Sequence, residues 1–310
     1  MSALRIATRG SDLALAQTGQ LAERIRRELG LETELVVVKT SGDRIQNVSL
    51  AKLGGKGLFV KEIEEALLAG RADVAVHSAK DLPAEIASGL RLVAFPERVD
   101  PRDALVAREP GATLDSLAEG ARVGTGSTRR SALLRELRPD LEVVPLRGNV
   151  PTRIAKIESD RLDAVILACA GLERLGLGDR ISERIATDRM LPAVCQGTLA
   201  IEARDGDPVA EKIAALDDAA ASLAVAAERA FLTRLEGDCT VPLAVHAEPV
   251  GGGRVRVRGL VASLDGRRVA RAEESAPVAD AAAAGRRVAE AVLARGGDEI
   301  LSALRTARRR

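Results

Sequence analysis

The octet Val76-His77-Ser78-Ala79-Lys80-Asp81-Leu82-Pro83 places three ionisable side chains directly behind the apolar run Asp73-Val74-Ala75-Val76. In an open α/β sheet, ligands bind outside the carboxyl ends of the strands, so His77, Lys80 and Asp81 stand where chemistry is expected. Asp81 is the candidate acid or base. Pro83 lacks an amide hydrogen and suits the first turn of a following helix, which would hold Asp81 in the loop just ahead of it. The competing reading is an aspartate that only caps that helix, beside a solvated lysine.

Cationic groups gather at similar positions elsewhere. Gly124-Thr125-Gly126-Ser127-Thr128-Arg129-Arg130 has the form of a strand-to-helix turn, with Ser127 or Thr128 available as the helix cap. Arg129 and Arg130 fall in the first helical turn, where the macrodipole disfavours positive charge, so an anionic ligand is expected to offset the repulsion. A dinucleotide fingerprint would need glycine at Arg129, and Gly55-Lys56-Gly57 fails as a phosphate loop because no Ser or Thr follows the lysine. Arg147-Gly148-Asn149-Val150-Pro151-Thr152-Arg153 repeats the device after the next strand, and Arg9 ends the first one. Arginine's planar fork binds carboxylates bidentately, so these residues suggest a site for an organic anion with several carboxylates. Cys239, in Leu235-Glu236-Gly237-Asp238-Cys239-Thr240, is a loop thiol open to a ligand. Its neighbours Glu236 and Asp238 would raise its pKa, so it is not an obvious low-pKa nucleophile, and a half-buried structural thiol is the alternative. Cys169, placed in a strand, and Cys195, in a Pro- and Gly-flanked turn, read as packing residues.

Composition narrows the classes. The chain has 310 residues, and its 46 basic and 45 acidic side chains leave a net charge of +1. No global field favours nucleic acid or an acidic membrane surface, so any basic site must be local. Three phenylalanines and no Trp or Tyr nearly exclude a base-stacking surface. Three scattered cysteines give neither a disulfide framework nor a CxxC pair, and with two histidines a structural metal is not expected. The N-terminus enters a strand without signal-peptide regions, and no apolar run reaches membrane-spanning length, which makes the cytoplasm the expected compartment.

The elements that must position these groups are legible from periodicity. Leu4–Thr8, Leu35–Val38 and Asp73–Val76 read as strands. Ser11 or Asp12 caps a helix with Leu21, Ile25 and Leu29 on one stripe and Gly30 at its end. Val60, Ile63 and Leu67 mark another helix, after a long Gly-containing stretch from Thr40 to Gly57. Beyond a boundary near 95–102, a second set of strands is expected at Ala104–Ala107, Arg122–Gly124, Glu142–Leu146 and Asp163–Leu167. Thr198–Ala203 looks like a strand returning to the first sheet. A helix through Leu223, Ala227 and Phe231 should stop at Gly237. Arg254–Arg258 alternates at period two, Asp265-Gly266 signals a hairpin, and an alanine-rich helix begins near Asp280. The expected architecture is α/β: two doubly wound, mainly parallel-sheet lobes (residues 1–97 with 198–217, and 98–197) forming a cleft, with a small α+β domain at 218–310.

Five segments, in order, resemble the signature segments of the porphobilinogen deaminase family, also called hydroxymethylbilane synthases. They are Ala7–Gln17, Gly54–Glu62, Val76–Pro83, Arg147–Asn149 and Leu235–Cys239. The resemblance covers essentially the whole chain. It implies a periplasmic-binding-protein-like pair of lobes plus a third domain, and one dipyrromethane cofactor joined by a thioether to Cys239. It also implies a transferase of tetrapyrrole and haem biosynthesis, which condenses four porphobilinogen molecules head to tail with release of ammonia. On this likeness Asp81 is catalytic, stabilising an azafulvene cation and moving protons. Cys239, Lys80, Asp81, Ser127, Arg129 and Arg130 hold the cofactor; Arg9, Ser11, Thr125, Arg147, Asn149 and Arg153 bind substrate carboxylates or their neighbours; Lys56 and Phe59 belong to a lid. The expected protein is a cytoplasmic monomer without nucleic-acid, membrane or metal partners. Gly126, Thr128, Pro151 and Cys195 stand where the family commonly has Ser, Leu, Gly and Gly. A two-lobed dicarboxylate receptor is the rival class, and it leaves Asp81, Cys239 and the third domain without roles.

Overall fold

The computed structural model describes residues 3–41, 60–235 and 241–309. Strands run β1 (Leu4–Arg9), β2 (Thr33–Val38), β3 (Val74–Ser78), β4 (Leu90–Ala94), β5 (Asp103–Ala107), β6 (Arg122–Thr125), β7 (Glu142–Pro145), β8 (Ala164–Ala168), β9 (Glu183–Ile185), β10 (Leu199–Arg204), β11 (Leu243–Gly251), β12 (Arg254–Ala262) and β13 (Val269–Pro277). The helices are α1 (Asp12–Leu29), α2 (Lys61–Leu68), α3 (Thr128–Leu137), α4 (Val150–Ser159), α5 (Cys169–Arg174), α6 (Pro208–Ile213), α7 (Ala219–Leu235), α8 (Ala281–Val292) and α9 (Asp298–Arg309). The chain forms two compact units, Met1–Val99 with Gly197–Ser222, and Asp100–Gln196 with Leu223–Arg310.

The first unit is a five-stranded sheet in the order β2-β1-β3-β10-β4, in which β2, β1 and β3 are parallel and β10 runs antiparallel to both neighbours. Helices cover both faces because β3 alternates. Val74 and Val76 join Leu21 and Ile25 of α1, whereas Ala75 packs with Ile63, Ala66 and Leu67 of α2. Ser11 caps α1, its Oγ accepting from the Ala14 amide at 3.3 Å, and Gly30 ends it with φ 62°. The expected return of the chain to this sheet is present as β10.

The second unit holds a sheet ordered β7-β6-β8-β5-β9, again with three parallel strands and one, β5, antiparallel to its neighbours. It also holds the antiparallel sheet β11-β12-β13. Leu105, Val123, Leu133 and Ile166 share one core with Ala244, Leu260 and Ala262, so the C-terminal sheet packs directly on the α/β layer. Phe231 of α7 is fully buried against β12, where a Cβ on Gly259 would lie 2.3 Å from its ring.

Two local expectations are corrected. No helix follows Pro83: Ala79–Asp81 form a single 3₁₀ turn, and the chain then passes through bends to β4. Leu82, held extended at φ −72° and ψ 140° ahead of the proline, stops helical continuation. Cys169 does not lie in a strand but opens α5, where it is fully buried, and burial together with Asp100 pushes its thiol up to about 12. The described part of α7 ends at Leu235, so the expected stop at Gly237 and the Cys239 loop lie outside the described residues, as do Lys56 and Phe59.

Candidate active site

In the first unit, the strand that carries the octet divides its side chains between the two faces. Ser78 falls on the α1 side and donates to Gln17 Oε1 at 3.0 Å. His77 falls on the α2 side, buried, with Nε2 2.9 Å from Oε2 of the fully buried Glu202 on β10. His77 is therefore part of an internal pair and is not brought into a group with Lys80 and Asp81. Burial raises the pKa of nearby Glu64, with the Glu202 charge adding to the effect against the Ala87 amide, which donates to Glu64 at 3.2 Å. The turn beyond is tied down by backbone: Ala79 N donates to Thr198 O at 3.0 Å, and Leu82 N to Ala79 O at 3.3 Å. That leaves Lys80 half-buried and Asp81 exposed on a fixed turn at the carboxyl end of β3. Arg9 ends β1 and is half-buried at the same sheet edge.

In the second unit, α3 starts where β6 ends. Ser127 is its N-cap, accepting from Arg130 N at 3.4 Å, and Thr125 Oγ1 accepts from Ser127 N at 3.2 Å. The glycine at 126 is required by close approach, since a Cβ there would lie 2.4 Å from the Leu146 carbonyl oxygen. Asn149 caps α4, its Oδ1 accepting from Thr152 N at 2.9 Å and from Thr152 Oγ1 at 2.6 Å. The hydroxyls and amide of Ser11, Ser127 and Asn149 thus begin helices, and Thr125 braces the turn before one of them.

Arg129 and Arg130 do have an anionic partner, but it is internal. Both are buried, at 4% and 6% exposure, and both bind Asp103, which is fully buried at the start of β5. Arg129 Nη1 donates to Asp103 Oδ2 at 2.7 Å, and Arg130 Nη2 and Nε donate to Oδ1 at 2.7 and 2.9 Å. Arg129 also reaches Leu191 O at 2.7 Å, and Arg130 reaches Ile166 O at 3.1 Å. Burial alone would raise the Asp103 pKa, but the pull of Arg129 and then Arg130 holds it well below the usual carboxylate range. The expectation that a ligand anion offsets the helix-start charge is corrected accordingly: one carboxylate serves two guanidiniums, leaving one positive charge. Arg129 Nε remains buried without a hydrogen-bond partner among the described residues.

Asp103 was missed by sequence reasoning. Its signal was a lone acidic residue heading an otherwise apolar, wholly buried strand. The reason it reaches the arginines is topological. Because β5 runs antiparallel to β8, its first residue pairs with Ala168, the last residue of β8, at the edge where α3 begins.

Arg147 and Arg153 complete the cluster. Arg153 is half-buried; its Nε donates to Gly148 O at 2.8 Å, and its pKa is lowered to about 10 by burial first and then by the charges of Arg130 and Arg147. An acidic ligand beside Arg153 would relieve both the repulsion from Arg130 and Arg147 and the cost of its burial. A dipyrrole bearing carboxylates fits these groups, and the partnerless Arg129 Nε adds a donor.

Fold and site together define a chain of two α/β sheets with arginines gathered at strand ends and an appended antiparallel sheet. Residues 4–212 match the pattern described as "Porphobilinogen deaminase, dipyromethane cofactor binding domain", and residues 222–294 match that family's C-terminal domain. The chain belongs to the porphobilinogen deaminase family. It is 52% identical over 309 residues to the porphobilinogen deaminase of Syntrophotalea carbinolica, covering 98% of this chain and 96% of that one. Against the enzyme of Syntrophus aciditrophicus the identity is 50% over 306 residues, covering 97% and 98%. Among solved structures, a periplasmic substrate-binding protein of an ABC transporter from Coxiella burnetii gives a TM-score of 0.42 at 13% identity, covering 69% of this chain and 91% of that one.

Proposed function

We propose that this chain condenses porphobilinogen, a pyrrole bearing an acetate, a propionate and an aminomethyl group, four units head to tail into hydroxymethylbilane, releasing one ammonia per unit. The observation that carries the reading is the grouping of Arg130, Arg147 and Arg153, in which burial and the charges of the other two lower the Arg153 pKa, within a chain of this family. When bound through Cys239, the dipyrromethane supplies the free pyrrole α-carbon at which the chain is extended. Arg147 and Arg153 bind carboxylates at the mouth of the site, Arg129 and Arg130 supply the buried positive charge, and Arg9 and Lys80 serve the same role at the first sheet. Ser11, Thr125, Ser127 and Asn149 shape the turns that present these groups, and Lys56 and Phe59 act as a lid. Residues 1–97 with 198–217, 98–197 and 218–310 serve as three domains, the last bearing Cys239.

Asp81 is the catalytic residue. When the aminomethyl C–N bond of porphobilinogen breaks, ammonia leaves and the pyrrole is left as a cation. An ionised carboxylate on a fixed, exposed turn stabilises that cation and takes up the proton released once the new carbon–carbon bond forms. The protein works as a cytoplasmic monomer without nucleic acid or membrane partners; no helix among the described residues is long and apolar enough to cross a membrane.

Asp81→Asn tests the assignment. The variant should fold and load cofactor, yet release ammonia from saturating porphobilinogen at least about 10²-fold more slowly, with Asp81→Glu less damaged. Turnover within a few-fold of wild type would return Asp81 to a structural role. Purified wild-type protein should exceed its sequence mass by two porphobilinogen units less two ammonia, with the adduct mapped to Cys239.

A further inference from the structure

We infer that Asp103 is a positioning residue for anion binding, acting through Arg129 and Arg130 and touching no ligand itself. The inference rests on the proposed role of that arginine pair. Asp103 is fully buried in the second sheet, so it cannot contact substrate or turn over protons with solvent. Among the described residues, the hydrogen bonds to its carboxylate come from the arginine pair and from Gln196, whose Nε2 donates at 3.0 Å and also reaches Pro101 O at 2.7 Å. Arg130 is gripped edge-on through Nε and Nη2, which fixes the plane of its guanidinium.

Two consequences follow from this geometry. The carboxylate cancels one of two positive charges, so the buried pair presents a single net charge toward Arg147 and Arg153 rather than two. It also fixes the direction of the remaining N–H donors, including the partnerless Nε of Arg129. A freely rotating pair would lose this orientation, and displacement of a binding group by about 1 Å can cost about 10²-fold in rate.

Removing Asp103 alone leaves two unpaired buried cations, so the test also removes Arg129. The double variant keeps the wild-type net charge of the group, and Arg129→Met has one positive charge fewer, so charge alone would favour anion binding by the double variant and only lost positioning would weaken it. Asp103→Asn/Arg129→Met removes one charge of each sign and is set against Arg129→Met, in which Asp103 still grips Arg130. Both are purified, checked for folding by circular dichroism, and weighed intact for the dipyrromethane adduct. The KM and kcat for porphobilinogen are then measured on the loaded fraction. The double variant should load cofactor less completely than Arg129→Met and show a KM higher by roughly tenfold or more, with a smaller change in kcat. Equal loading and equal KM in the two folded proteins would overturn the proposal. So would a double variant that fails to fold while Arg129→Met folds, which makes Asp103 a folding residue only. Wild-type loading and KM in both Arg129→Met and Arg130→Met would instead sink the underlying reading of the arginines, a distinct outcome.

Discussion

At the scale of single residues, arginines of one sequence type divide into two physical kinds. Arg129 and Arg130 are core residues bound to Asp103, whereas Arg147 and Arg153 are half-buried and crowded by like charge. Substitution should separate them. Arg129→Leu leaves Asp103 held by Arg130 but removes the buried charged hydrogen bonds to Asp103 and to Leu191 O, each worth about 1.5–3 kcal/mol, so its thermal midpoint should fall clearly. Arg147→Leu and Arg153→Leu relieve repulsion and should leave the midpoint nearly unchanged while raising the KM for porphobilinogen. Equal midpoints across all three variants, read by calorimetry, would contradict the division. Cys195 shows a similar dependence on surroundings: it is buried with φ 55°, a backbone region that favours glycine, and its amide donates to the buried carboxylate of Glu228. That agrees with the expectation of glycine at this position in the family's segment.

At the scale of elements, one antiparallel strand in each α/β sheet does the placing. The first residues of β10 and β5 arrive at the carboxyl edge of their parallel neighbours because they run the other way. In the first unit this brings Thr198 O to the Asp81 turn, and in the second it brings Asp103 to the arginines. The alanine-rich α8 carries a comparable hidden constraint. A Cβ on Gly285 would lie 2.0 Å from the Ala227 carbonyl oxygen, so α8 approaches the backbone of α7, the helix that precedes the Cys239 segment. Gly285→Ala should destabilise by about 1–3 kcal/mol through overpacking, despite the better helix former. Gly19→Ala on α1, with nothing within 4 Å of the added Cβ, should instead stabilise by up to about 1 kcal/mol. Urea midpoints of the two variants moving in the same direction would refute the packing argument.

At the scale of the molecule, the buried network predicts a sensitivity to acid. Asp103 has a folded-state pKa far below its ordinary 3.8, so between those values the unfolded chain binds more protons than the native one. Its contribution is complete above about pH 4 to 5 and is lost as pH falls below that range. Wild type should therefore lose stability on acidification more steeply than Asp103→Asn/Arg129→Met; parallel profiles from denaturant titrations at a series of pH values would count against it. The amino-acid order alone determined the family, the strands and helices around the site, Gly30 as a helix end with Ser11 or Asp12 as its start, and the return of residues 198–203 to the first sheet. These rest on local matters: apolar periodicity, capping chemistry and the sequence of short motifs. The helix expected after Pro83 failed for a local reason too, the extended conformation imposed on Leu82. What only the tertiary structure decided is which ionisable groups pair: Asp103 with Arg129 and Arg130, and Glu202 with His77 through a hydrogen bond, while Asp81 stays exposed. Those pairings join residues far apart in the chain, and they depend on the direction of β5 and β10, which a strand's own residues do not encode because its hydrophobic period reads the same in either sense.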